Sequence, residues 1–423
     1  MKKLILGISL VVLFVAGCSN DSTDGGKDSS KKENVDVTIW ATNINVPVLE
    51  KAAELYKEDH PEFNLNVEEM NNDDIRSKMT AGLQSAGQGL PDGALLVDDG
   101  ITGYVTNFSD TFANITELGF DEHEDQFPQY KMDSVSYEGD MYAIPFDAGP
   151  VGVFYRADLF KEAGVNAEDI KTWNDYFEAG EKIKEVTGAN MLSFDSNDST
   201  VYTILMSQQG KGYFEQDGTS NMDSEVSIET ASVFSEMAER DIIFRAPGWN
   251  AWVASLVDSQ TATAITGAWL IGTLEQQVPD QSGNWAVMPL PSFEGSDSRS
   301  ANQGGSSFSI FESSDNKEEL YDFLVFFATS TEVQELAMEG GLFPSYLPVY
   351  ESDLFAEPVE YFNNEPVWEF FAEEMTKIPS VFYTEHDSLG RDEAVKVQAE
   401  VLEGTDPEQS VSDANGRIEN RIN

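Results

Sequence analysis

Apolar and polar residues alternate over Val35-Asp36-Val37-Thr38-Ile39, the two-residue period of a strand. Asn45-Val46-Pro47 then opens a helix with Val48, Leu49, Ala52, Ala53 and Tyr56 on one face, and His60-Pro61 stops it. Phe63, Leu65 and Val67 form a second strand, which completes the strand–helix–strand unit of a parallel sheet. The pattern recurs: a helix over Ile75 to Ser85, and a short buried strand over Pro91 to Val97. Ala143-Ile144-Pro145 leads into a strand at Val151 to Tyr155, and helices follow at Asp158 to Ala163 and Trp173 to Val186. The second half alternates again. Strands are expected at Thr263 to Thr266, Trp285 to Met288 and Ser306 to Phe311. Helices are expected at Ala268 to Gln277, Lys317 to Ala328, Val367 to Thr376 and Glu393 to Leu402. No fixed-period repeat is present, and the fold class is α/β.

The N-terminus breaks this pattern. Met1-Lys2-Lys3 is basic, Leu4 to Val15 carries no charge, and Val15-Ala16-Gly17-Cys18 follows. That order describes a secretion leader over residues 1–17. The apolar run is shorter than the about 20 residues a spanning helix needs. Val15 to Cys18 resembles the lipobox of bacterial lipoproteins, with Val15 in place of the usual Leu. The resemblance implies diacylglycerol on the Cys18 thiol and anchoring to the outer face of the cell membrane. The polar stretch Ser19 to Glu33 lacks aromatics and reads as a flexible tether, so residues 18–34 form anchor and tether.

Composition narrows the function. Cys18 is the only cysteine, which excludes internal disulfides and thiolate metal sites. The net charge of −51 excludes nucleic-acid binding, because phosphate contacts need a basic surface. It also disfavours direct adhesion to anionic lipid. The acids are spread along the chain, as a solvated surface for a saline or alkaline exterior would have them. Stability that gains nothing from added salt would count against that reading. With 40% hydrophobic and 11% aromatic residues, the rest of the chain can build a full core, and its length suits two lobes.

Six segments in order resemble the maltose-binding-protein type of periplasmic sugar-binding protein. They are Val37 to Trp40 with its Pro-started helix; Leu90-Pro91-Asp92 with Asp98-Asp99-Gly100; and Tyr142 to Pro145 with Gly152 to Arg156 and Asp158 to Gly164. Thr172-Trp173 with Ala179 to Ile183, Ala262 to Trp269, and Val287 to Pro291 with Gly304-Gly305-Ser306 complete the set. The resemblance implies two α/β lobes joined by hinge crossings, residues 35–147 plus 303–355 and residues 150–300 plus 360–423. It implies sugar in the cleft, lobes that close over it, and docking on the permease of an ABC importer. No cofactor or metal and a monomeric state are expected.

Sugars offer apolar C–H faces and a ring of hydroxyls, so their sites need aromatic plates with carboxylates and amides. Trp40 and Asn43 end the first strand, although Trp40 could equally pack in the core. Asp98 and Asp99 follow a buried strand and match the family's sugar-binding loop. The family's stacking Trp there corresponds to Leu96 or its neighbour, which argues against maltodextrin itself. Asp147 sits at the expected hinge. Asp195, Asn197 and Asp198 form a polar loop that partly mimics a calcium loop but lacks the turn Gly at Thr200. Trp269 matches the family's stacking Trp, Trp249 is a second candidate plate, and Trp252 reads as core. Gly304, Gly305 and Ser306 would let backbone approach a ligand. Tyr383, with Glu385 and Asp387, precedes the last helix, where the family places a ligand aromatic.

The rival classes are a secreted glycosidase, which needs two carboxylates at a fixed separation, and a sugar sensor or adhesin without transport. No Gly-x-Ser-x-Gly elbow or Gly-rich phosphate loop occurs, and His60, His123 and His386 lack zinc spacing. A short oligosaccharide is favoured over a monosaccharide, because several aromatic plates are available.

Overall fold

The computed structural model describes residues 34–42 and 44–422. The leader, Cys18, its tether and Asn43 lie outside the described residues.

Twelve strands occur among the described residues: β1 (Val35–Ala41), β2 (Phe63–Glu69), β3 (Gly93–Val97), β4 (Ser136–Tyr137), β5 (Asp140–Met141), β6 (Ile144–Arg156), β7 (Asn190–Asp195), β8 (Ile243–Ala246), β9 (Thr261–Gly267), β10 (Trp285–Met288), β11 (Asn302–Ile310) and β12 (Phe343–Pro344). All but the β4–β5 hairpin join one sheet, in the order β2-β1-β3-β11-β6-β9-β7-β8, with β10 and β12 also on β6. β1 lies parallel between β2 and β3, and the crossovers are helices Val46–Tyr56 and Asn72–Gln84. Asn71 caps the second of these by accepting the Asp74 N–H at 2.8 Å. A second parallel set, β8-β7-β9, repeats the plan.

β6 links the two sets. Its first half pairs antiparallel with β11 and β12, and its second half with β9 and β10. The sequence suggested a strand only at Val151 to Tyr155. The actual strand runs 13 residues, through Pro145 and Pro150. Proline is tolerated because irregular pairing with β11, shifted at Asn302/Gly305 and again at Ser306/Ser307, leaves gaps in the ladder.

Three hydrophobic clusters follow from this topology. The first holds Val37, Ile39, Leu49, Phe308, Phe323 and Phe327. The second holds Val151, Tyr176, Leu192, Phe234 and Val397. The third holds Phe154, Trp252, Trp285, Phe343 and Phe371. Alternate residues of β6 serve different clusters: Val151 and Val153 point into the second and Phe154 into the third. Helix Thr200–Gln208 escaped the sequence reading because Val201, Tyr202, Ile204, Leu205 and Met206 are all buried, leaving no one-sided stripe. Helix Asp98–Phe108 begins directly at the end of β3 and was likewise not anticipated. No described helix is long and apolar enough to cross a membrane.

Candidate functional site

The C-terminal ends of β3, β7 and β9 converge on one cleft, the position where open α/β sheets bind ligands. β3 delivers Asp98 and Asp99 into the first turn of helix Asp98–Phe108, where carboxylates suit the helix dipole. Helix Trp173–Thr187 starts with a reciprocal cap between Thr172 and Asp175 and feeds β7, which ends at Asp195. β9 ends at Gly267, two residues before Trp269.

One compartment, about 180 Å³, is lined by Trp249, Trp252, Trp269, Phe194, Ile265, Ser193, Asp195, Thr266 and Gln303 among others. The three indoles pack together with ring centroids 5.2 to 6.5 Å apart. Trp252 is buried and donates its N–H to Ser193 O at 3.0 Å, so it serves as core and wall at once. The Trp269 N–H donates to Gln303 Oε1 at 2.6 Å, which fixes its ring. Trp249 remains 42% exposed, the most accessible of the three plates. Asp195 Oδ1 accepts the N–H groups of Asn197 (2.9 Å) and Gly248 (2.8 Å), and so positions the turn that starts the Trp249–Val257 helix. Asn197 itself is exposed and does not line the cleft. Its neighbour Asp198 lines both compartments.

The second compartment, about 290 Å³, shares Asp198, Thr200 and Gln303 with the first, so the two form one continuous cleft. Its wall is polar: Arg76, Asp99, Thr203, Ser207, Lys211, Tyr213, Tyr383, Asp387 and Arg391. Asp99 receives Arg391 Nη1 at 2.9 Å and stands 3.5 Å from Arg76 Nη2. Burial pushes the Asp387 carboxyl up to about 7 against the pull of Arg391, and burial also raises the Tyr383 phenol. Tyr213 Oη lies 2.6 Å from Thr203 Oγ1.

Four expected ligand groups instead build the floor beneath the cleft, and none of them lines either compartment. Lys131, fully buried, donates to Asp98 Oδ2 (2.5 Å), to the carbonyl of Asp147 (2.7 Å) and to the carbonyl of Ser306 (2.9 Å). Ser307 Oγ donates to the other Asp98 oxygen at 2.7 Å, so both are occupied. Burial raises the Asp98 carboxyl, opposed first by Lys131. Asp147 Oδ1 accepts the N–H and hydroxyl of Ser306 at 2.6 and 2.5 Å, and burial pushes this carboxyl up to about 6. Gly305 has φ +97°, and a Cβ there would stand 2.9 Å from Asp98 Oδ2 and 3.0 Å from Asp147 O. It exists for packing, whereas Gly304 lines the cleft. Trp40 also departs from the expectation. It is 4% exposed, donates its N–H to Glu68 at 2.9 Å, lies under Lys78, and is not part of the cleft wall. Leu96, at the position that corresponds to the family's stacking Trp, is buried.

Arg76, Arg391, Lys211, Tyr213 and Gln303 were missed from sequence. The scarcity of bases, 25 against 76 acids, was the available clue to the cations, since three of them gather here.

Comparison with known proteins agrees with this geometry. Residues 51–363 match the family described as bacterial extracellular solute-binding protein. The chain is 32% identical over 359 residues to the lactose-binding protein of Rhizobium radiobacter, covering 82% of this chain and 84% of that protein. It is 27% identical over 379 residues to the arabinooligosaccharide-binding protein of Bacillus subtilis (strain 168), covering 86% of each. The sugar-binding protein MalE from Xanthomonas citri superposes with a TM-score of 0.79 at 18% identity, over 91% of this chain and 97% of that one. That likeness establishes the two-lobed α/β fold with a cleft between lobes, and the relatives are binding proteins rather than enzymes. The family match spans most of the chain, and the protein therefore belongs to the bacterial extracellular solute-binding protein family, which works outside the cytoplasm.

Proposed function

We propose that this protein captures a short oligosaccharide in the cleft and delivers it to the permease of an ABC importer. The carrying observation is the set of three indoles, Trp249, Trp252 and Trp269, facing a wall of carboxylates, amides and hydroxyls. Trp269 and Trp249 stack on a pyranose or furanose face, and Asp195, Asp198 and Gln303 take its hydroxyls. Asp99, Tyr383 and Arg391 meet the further sugar units. Lobe I comprises residues 35–147 plus 303–355 and lobe II residues 150–300 plus 360–423, with β6 and β11 as the hinge. Sugar that touches both lobes binds the closed form better and shifts the population toward it. Lipid on Cys18 holds the monomer at the outer face of the membrane, and residues 19–33 give it reach.

The relatives' ligands define the test. Calorimetry against lactose, arabinooligosaccharides, maltodextrins and monosaccharides should find saturable 1:1 binding to at least one oligosaccharide. Release of shorter products during incubation would replace the binder with a hydrolase. For the anchor, Cys18→Ala should move the protein from the membrane fraction to the medium, and mass spectrometry of the wild-type N-terminus should show acyl chains.

A further inference from the structure

Two residues one turn apart on helix Asp98–Phe108 face the other lobe. Asp99 meets Arg391 at 2.9 Å, on helix Asp387–Leu402. Gly103 comes so close to the next segment that a Cβ there would stand 3.2 Å from Glu385 Cα and 3.5 Å from Glu385 N. Residues i and i+4 share a helix face, so charge and missing side chain form one contact patch. The helices belong to different cores. Ile101 and Val105 of the first pack in the first cluster, and Ala394, Val397 and Val401 of the second in the second cluster. Among the ion pairs of the described residues, Asp99–Arg391 is the one that joins these two cores; Arg76 holds Asp99 from its own side.

We propose that Asp99, Arg391 and Gly103 form a latch that stabilises the closed lobes whether or not sugar is present. Arg391 is then a positioning residue. It sets affinity through the closed population in addition to any contact with ligand. Glycine at 103 allows this close approach: a Cβ would force the Glu385 backbone back by a few tenths of an ångström, and a longer side chain would push the Thr384–Glu385 segment, and with it Arg391, away from Asp99. The pair is partly exposed, with 25% and 32% of the two side chains accessible, so it biases an equilibrium rather than locking it. A protein that is competent only when closed loses apparent affinity in proportion to the closed fraction lost.

The inference rests on the two-lobed binding reading, but its first arm needs no ligand. Small-angle scattering of the full chain without sugar should show a larger radius of gyration for Arg391→Gln and for Gly103→Leu than for wild type. Melting temperatures should stay within a few degrees, since Leu favours the helix over Gly. Sugar affinity should fall by about tenfold or more in Gly103→Leu, which removes no polar group from the cleft. Unchanged scattering in both variants would overturn the latch, even if Arg391→Gln weakened binding by losing a direct contact. If wild type bound no sugar, the proposed function would fall and the scattering arm would still decide the latch.

Discussion

Asp98 and Asp99 are neighbours in sequence, at the same strand end and on the same first helical turn, yet they serve opposite regions of the molecule. About 100° of helical rotation separates their side chains. Asp98 turns down into the floor, 3% exposed, against a lysine that has no exposure at all. Asp99 turns up into the cleft, 25% exposed, against two arginines that reach it from different elements. The floor is a closed set of bonds: Lys131 spends its three donors on β3's helix, β6 and β11. The mouth is an open set, where the partly exposed partners stay within reach of water. The same residue pair, an acid with a base, therefore builds a buried anchor in one place and an adjustable contact in the other. Burial is what separates them.

The sharpest way to break that contrast is to remove the base from each pair. Lys131→Met should destabilise the protein by about 3–5 kcal/mol, because the Asp98 carboxylate would stay buried without its partner. Arg391→Met should cost about 1 kcal/mol or less, as exposed pairs do. Urea unfolding of the two variants measures both. Comparable losses would mean that the mouth is as dry as the floor. Adding Asp98→Asn to Lys131→Met should restore part of the stability, since the uncompensated charge is then gone.

A middle-sized effect separates the cleft wall from the core beneath it. Trp269→Ala should weaken sugar binding by about 2 kcal/mol or more, the size expected of a central aromatic anchor. Trp40→Phe should leave affinity unchanged and cost stability instead, through the lost hydrogen bond to Glu68. Calorimetry paired with thermal unfolding reads the two separately. Loss of affinity in Trp40→Phe would move the cleft wall to the end of β1.

These two tryptophans show what sequence could and could not supply. The strand that carries Trp40 was legible from its alternation, as were β2, β3, β9 and the crossovers of the first parallel set, whereas β8 and the helices Thr200–Gln208 and Glu225–Glu239 were not. Where Trp40 points was not, because the end of β1 is buried on both faces and its cover comes from Glu68 and Lys78 on later elements. Trp269 was legible because its place after β9 matched a known pattern. Asp98, Asp147, Gly305 and Ser306 sat close enough to the cleft to match that pattern too. Their gathering around Lys131 depends on a helix that no local signal ties to β11. Arg391 lies 292 positions from Asp99, and nothing in either segment announces the pairing. Periodicity reports on one element at a time, and the cleft is made where several end.

The smallest expected effect is a change of slope. Asp147 belongs to the floor, and burial holds its carboxyl at about 6 rather than the ordinary aspartate value of about 4. Between those pH values the folded chain keeps a proton that the unfolded chain has already released. Stability contributed by this group therefore falls as pH rises from about 4 to about 6, and the loss is complete above that window. Asp98 is shifted in the same direction and adds its own slope to wild type and variant alike. Asp147→Asn keeps an oxygen to accept the Ser306 N–H and hydroxyl while removing the titration. Melting temperatures measured across the window should thus diverge, with the variant gaining on wild type as pH rises. Parallel curves would mean that Asp147 is solvated like a group at the mouth, and the boundary between buried anchor and adjustable contact would then run below β6 rather than above it.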